Sequence, residues 1–154
     1  MSIEDDIAYF ERVPTLALLG REALRILAIG AENRYVHSGN VLFQEGEAAD
    51  SGYVVQEGSF ALSPARNGGE PVTVGAGTLL GELALITETT RRVTATAQEP
   101  STVIRISRSL FLKMLEGYPE AALRLREDIL RRAGESARDM FAVRASLDDS
   151  DSQN

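Results

Sequence analysis

Glu82 and Arg91 are the residues of this sequence whose types and spacing could do chemistry. They lie in the run from Gly77 to Ala97, Gly-Thr-Leu-Leu-Gly-Glu-Leu-Ala-Leu-Ile-Thr-Glu-Thr-Thr-Arg-Arg-Val-Thr-Ala-Thr-Ala. A short turn of helix starting near Gly81 would point unpaired backbone N–H groups outward. Such a terminus attracts an anion through its free donors and its dipole. Gly81 has no side chain to block close approach. Arg91 offers a fork of donors that suits the paired oxygens of a phosphate. A carboxylate beside a phosphate is repulsive unless a neighbouring donor needs an acceptor, and a sugar hydroxyl is such a donor. Glu82 and Arg91 together therefore point to a ligand with one phosphate and a free ribose hydroxyl. Two plainer roles stand beside this one. Glu82 and Arg91 could be an ion pair that holds a loop, and Arg92 could be a solvated surface residue rather than a second cation at the phosphate.

The run Gly81-Glu82-Leu83-Ala84-Leu85-Ile86, then Arg91 and Thr94, resembles the phosphate-binding cassette of the cyclic nucleotide-binding domain family. Bacterial catabolite activators, the regulatory subunit of protein kinase A and cyclic-nucleotide-gated channels belong to that family. The resemblance implies that Glu82 accepts from the ribose 2′-hydroxyl of cAMP or cGMP and that Arg91 pairs with the cyclic phosphate. Gly81 and the amides around Leu83 and Ala84 would complete the cradle. It further implies that Val74 and nearby residues face the base, and that Met140 or Phe141 of the last helix closes over the pocket. Where the family often carries Gly, Thr and Pro before the arginine and a small residue after it, this chain has Glu88, Thr89, Thr90 and Arg92. Those departures motivate an alternative, a fold that no longer binds nucleotide and serves as a protein-interaction module.

The elements that must position these residues follow from periodicity. Ser2 to Arg12 reads as a helix opened by a capping-box pattern of Ser2 and Asp5, with Ile3, Ile7 and Phe10 on one face. Val13-Pro14 ends it. A second helix, about Arg21 to Ile29, gathers Leu24, Leu27 and Ala28. From Arg34 the period changes to short β-rich runs: Tyr35–His37, Val41–Phe43, Tyr53–Val55, Ser59–Leu62, Val72–Val74, Arg92–Thr96 and Val103–Ile106. Gly39-Asn40, Glu45-Gly46-Glu47, Glu57-Gly58 and Asn67-Gly68-Gly69 read as the turns between them. Short strands with regular turn signals argue a barrel or double-sheet roll. Ser107 caps a helix to about Glu116 that buries Leu110, Phe111, Met114 and Leu115. Pro119 opens a last helix to about Arg144, with Ala122, Leu125, Ile129, Ala133, Ala137 and Met140 as its apolar stripe. The Arg131-Arg132 pair sits among Glu127, Asp128 and Glu135 and reads as a solvated face. Phe10 to Leu16 and the roll residues Gly39, Leu42-Phe43, Glu45-Gly46, Ala49-Asp50, Tyr53 and Gly58-Ser59 extend the family resemblance over about Phe10 to Ala133.

The expected architecture is therefore α+β: an antiparallel, jelly-roll-like β-roll over about 33–107, flanked by N-terminal helices and a C-terminal helix pair over about 108–145. Residues 1–146 form one domain in this reading, and 147–154 form a disordered acidic tail. At 154 residues the chain is long enough for a real core. A net charge of −7 makes it a poor bulk partner for nucleic acid or an anionic membrane. No basic recognition helix follows the last helix, so neither DNA nor membrane is expected as a partner. The expected partners are the cyclic nucleotide and a protein, or a second copy, on the last helix. His37 is the only histidine and there is no cysteine, so neither a metal nor another cofactor is expected. No nucleophile elbow, P-loop or dinucleotide fingerprint occurs, and the chain reads as a non-enzyme. Glu4, Asp5 and Asp6 exclude a signal peptide, and no run approaches the about 20 apolar residues of a span, so a cytoplasmic protein is expected.

Overall fold

Three helices open the chain: α1 (Ile3–Glu11), α2 (Pro14–Ala17) and α3 (Arg21–Gly30). The structure, a computed structural model, describes residues 2–63 and 70–132. Ser2 caps α1 as its spacing from Asp5 predicts. The Asp5 amide donates to Ser2 Oγ at 3.1 Å and the Ser2 amide to Asp5 Oδ2 at 3.3 Å. Proline at a first helical position has no N–H to lose, so Pro14 ends α1 and also starts the single turn of α2. Helices this short are marginal alone. They persist because Ile7, Phe10, Leu16, Leu24 and Leu27 are buried against one another and against the sheet.

Among the described residues ten strands follow, all pairing antiparallel: β1 (Glu32–Val36), β2 (Val41–Phe43), β3 (Ala48–Ala49), β4 (Ser51–Glu57), β5 (Ser59–Ser63), β6 (Val72–Gly75), β7 (Leu79–Leu80), β8 (Thr89–Thr90), β9 (Thr94–Ala97) and β10 (Ser101–Ser107). They form two four-stranded sheets, ordered β1-β10-β4-β7 and β2-β9-β5-β6, and a β3-β8 ribbon. This is the expected α+β fold, a jelly-roll-like β-roll with helices packed on it. A 3-10 turn at Glu82–Leu85 follows β7. Ser107 caps α4 (Arg108–Gly117), its Oγ accepting from the Leu110 amide at 3.2 Å. Residues 119–132 form the described part of a last helix, α5.

The first sheet serves two cores at once, because strand side chains alternate between faces. Val54 of β4 and Ile104 and Ile106 of β10 join the helices in one cluster. Tyr53 and Val55 of β4 and Val103 of β10 join Phe43, Phe60, Leu80 and Ala95 inside the roll. The stripe of α5 differs from expectation by one residue: Ala121 and Leu125 are buried, whereas Ala122 is only half-buried. Three two-residue strands, β3, β7 and β8, were not anticipated, and β9 begins at Thr94 rather than Arg92. The expected turn at Asn67-Gly68-Gly69, the acidic tail, and Ala133, Ala137, Met140 and Phe141 lie outside the described residues.

Candidate functional site

Arg91 is fixed from below by aromatic rings and from the side by backbone. It follows β8, where its amide donates to the Glu47 carbonyl at 2.8 Å and its own carbonyl accepts from the Gly46 amide at 2.8 Å. The guanidinium carbon lies 4.4 Å from the centre of the Phe43 ring and 5.5 Å from that of Tyr53. The two rings are stacked, with centroids 6.0 Å apart. Nη2 donates to Ser51 Oγ at 3.3 Å. The residue is only 7% exposed, yet Nη1 has no hydrogen-bond partner among the described residues. No carboxylate forms an ion pair with it among the described residues. Burial pushes the guanidinium below its ordinary value, against the opposing pull of Tyr53, Asp50 and Glu47. A buried cation with an idle donor and no acid partner is costly. An anion placed at Nη1 would remove that cost.

Gly81 makes the room. Its φ of +79° is left-handed, and a Cβ there would stand 2.4 Å from Arg91 Nη1. Two constraints meet at this residue, backbone conformation and the space in front of the arginine. The 3-10 turn that follows presents its first amides at the same end. The Ala84 amide, however, donates back to the Gly81 carbonyl at 3.1 Å. Of the two amides expected to cap an anion, that of Ala84 is thus engaged within the turn.

Gly81, Glu82, Leu83, Ala84, Arg91 and Arg92 all line one cleft of about 240 Å³, together with Phe43, Thr90 and others. Leu83 and Arg92 are exposed at it, and Ala84 is buried beneath it. Val74 is not among the lining residues; it pairs with Phe60 and packs half-buried against the roll cluster. Met140 and Phe141 lie outside the described residues. Thr94 accepts the Glu45 amide on its hydroxyl at 3.0 Å and so supports the turn beside Arg91. His37 is exposed, edge-on to Tyr35 at 4.6 Å. Among the described residues no cluster of His, Cys, Asp or Glu could hold a metal ion.

Glu82 and Arg91 do not pair with each other. Glu82 Oε1 accepts from Thr15 Oγ1 at 3.3 Å and from Arg132 Nη2. The solvated-face reading of Arg131-Arg132 therefore fails for Arg132, whose guanidinium crosses from α5 to the cassette. Asp128 holds it from behind: Arg132 Nε donates to Asp128 Oδ2 at 2.9 Å. The Glu82 hydrogen bond, against burial, raises the Arg132 guanidinium above its ordinary value. A hydrogen bond from Arg131 keeps the Asp128 carboxyl below the usual range.

Sequence reasoning also missed Ser51 and Arg108. Arg108 Nη1 donates to three carbonyls, those of Ala49 at 3.0 Å, Ala84 at 3.3 Å and Thr87 at 2.9 Å. It ties the first turn of α4 to the cassette. Its only sequence signal was position, a long cation just inside a capped helix.

A family model described as the cyclic nucleotide-binding domain matches residues 33–118. The chain belongs to this family. A cyclic nucleotide-binding-like protein from Brucella abortus has a solved structure 41% identical to this chain, with a TM-score of 0.65 over 73% of this chain and 98% of that one. An NTE family protein of Mycobacterium tuberculosis is 35% identical over 124 residues, 79% of this chain and 21% of that protein. The cAMP-dependent protein kinase regulatory subunit of Yarrowia lipolytica is 29% identical over 107 residues, 70% of this chain and 28% of that protein. The chain spans 21% and 28% of the length of these two curated relatives. In this cyclic nucleotide-binding domain the matched segment contains the whole cleft and ends after α4. No helix among the described residues is long and apolar enough to cross a membrane.

Proposed function

We propose that the cleft binds a cyclic nucleotide, cAMP or cGMP, and that the chain is a regulatory module rather than an enzyme. The idle, buried Nη1 of Arg91 in front of Gly81 carries this reading. The cyclic phosphate takes Nη1 as donor, with the amides of Glu82 and Leu83 as further donors at the open end of the turn. Glu82 accepts from the ribose 2′-hydroxyl. A cleft of about 240 Å³ is smaller than the roughly 300–1,000 Å³ of drug-sized sites, so it takes phosphate and sugar and leaves the base at its mouth. Val74 lies on the roll wall rather than in the cleft, so its contact with a base is the outermost part of the proposal. The signal passes through the C-terminal helix to a protein partner or a second copy. The regulatory-subunit relative is named for cAMP dependence, which agrees with this assignment.

A second reading rests on Glu82, whose acceptor is already used by Arg132 and Thr15. In that reading the site has been filled by the chain's own arginine, and the fold serves protein interaction alone. Calorimetric titration of nucleotide-stripped protein with cAMP and cGMP separates the two. Micromolar or tighter binding that Arg91→Ala abolishes supports the sensor. No heat at millimolar nucleotide favours the interaction module.

A further inference from the structure

We infer that Thr15 is a positioning residue for the sugar contact, a donor that holds one oxygen of Glu82 so that the other meets the ribose 2′-hydroxyl. The inference rests on the nucleotide reading and deepens it. Glu82 lines the cleft, and its two oxygens differ. Oε1 accepts from Thr15 Oγ1 at 3.3 Å and from Arg132 Nη2. Oε2 takes no donor among the described residues. A carboxylate accepts at both oxygens, so Oε2 is the acceptor left for a ligand hydroxyl. Thr15 does not line the cleft and acts on the ligand only through Glu82.

Donor and acceptor are set by the same core. Thr15 stands in the single turn of α2, directly after Pro14, whose ring fixes its own φ. The next residue, Leu16, is fully buried, and Val13 and Leu19 are buried on either side of the turn. Arg124 holds the end of that turn, its Nε donating to the Leu18 carbonyl at 2.6 Å and its Nη2 to that of Leu19 at 3.1 Å. Glu82 opens the 3-10 turn whose last residue, Leu85, packs in the same cluster as Leu16. The hydroxyl itself has little freedom, because β-branching restricts χ1. A glutamate side chain has no such restriction, and an unheld one loses rotamer freedom when a ligand fixes it. Thr15 settles that orientation before the ligand arrives, which lowers the ordering cost of binding.

The test uses the full chain, stripped of nucleotide, as wild type, Thr15→Val and Thr15→Ser. Each is titrated with cAMP and cGMP and with their 2′-deoxy counterparts. Valine keeps the branched shape of threonine and deletes the donor. Losing one net hydrogen bond should weaken ribonucleotide binding about two- to tenfold. The 2′-deoxy nucleotides bring no hydroxyl to Glu82, so their affinity should stay as in wild type. The ratio of ribo- to 2′-deoxy affinity should therefore fall in Thr15→Val and return in Thr15→Ser. A packing role for Thr15 would weaken both ligands alike and leave the ratio where it was. That outcome, or a ratio that serine does not restore, overturns the positioning role and leaves the nucleotide site standing. Thr15→Ala makes the same deletion should the valine variant fail to fold. Equal affinity of wild type for both ligands overturns the sugar contact and the role of Thr15 together, while the phosphate contact at Arg91 stands. Binding of neither ligand by wild type overturns the nucleotide reading and the inference with it.

Discussion

Replacing Gly81 by alanine puts a methyl group in the space that the phosphate would occupy. The new Cβ would lie 2.4 Å from Arg91 Nη1 and 3.1 Å from the Ser51 carbonyl oxygen. The arginine cannot yield cheaply, because Phe43 and Tyr53 back it and Ser51 holds Nη2. The backbone adds a separate cost: a φ of +79° is left-handed, which costs a non-glycine residue about 1–2 kcal/mol. In a chain of this size that is a fall in Tm of about 2–8 °C. The lost phosphate contact is a charge-assisted bond of about 1.5–3 kcal/mol, so Kd should rise roughly ten- to a hundredfold. Gly39→Ala separates the two effects. Its φ is +85°, and nothing lies within 4 Å of the added Cβ. That variant should show a similar fall in Tm with no change in Kd. Scanning calorimetry and titration with cAMP and cGMP read both quantities. Equal nucleotide affinity in Gly81→Ala and Gly39→Ala would refute the argument that the glycine clears space in front of Arg91.

Phe43→Leu keeps the site apolar but removes the ring under the guanidinium, a cation–π contact of about 0.5–2 kcal/mol. Titration should show a several-fold weaker Kd, and unchanged affinity would make the ring mere packing. Arg108→Met keeps the stem and loses three carbonyl contacts, so urea unfolding should show a loss of roughly 1.5–3 kcal/mol. A loss under about 0.5 kcal/mol would class Arg108 with ordinary surface residues. Asp6 is buried with Oδ1 unpartnered among the described residues, and burial raises its carboxyl above the usual value near 3.9. Its contribution is then fully present below the unfolded value and is lost as pH rises through the raised folded one. Asp6→Asn should therefore melt higher than wild type at pH 7, with the difference vanishing toward pH 3. A constant difference across that range would contradict the assignment.

The cassette was legible because its parts are close in sequence. Gly81, Glu82 and Arg91 fall within one short run, and a left-handed glycine ahead of a turn is a local signal. The long strands were legible for the same reason, their β-branched runs being bounded by Gly39, Gly46 and Gly58. The two-residue strands β3, β7 and β8 are too short to show a period, and they exist only because longer strands beside them supply partners. Pro14 has two local meanings, stop and start, and the chain uses both. Arg132 was misread because its sequence neighbours, Glu127, Asp128 and Glu135, accounted for its charge. The contact with Glu82 is tertiary and left no trace in spacing. The Phe43 and Tyr53 platform was hidden in the same way: both residues stood out as part of the roll, but their meeting under Arg91 depends on how β2 and β4 face each other across it.

The sharing of β4 and β10 between two cores has a consequence for how the molecule comes apart. Tyr53 is part of the platform under Arg91 inside the roll, and Val54, the next residue, packs among the helices. A sub-global opening that exposed the helical cluster would pull on the peptide that carries Tyr53, so the roll and the helices are expected to open together. Both strands are interior to their sheet, and their amides should exchange with deuterium only through global unfolding. An anion held at Arg91 would then slow exchange in α1 and α3, at residues that never approach it, because the same strand bears both loads.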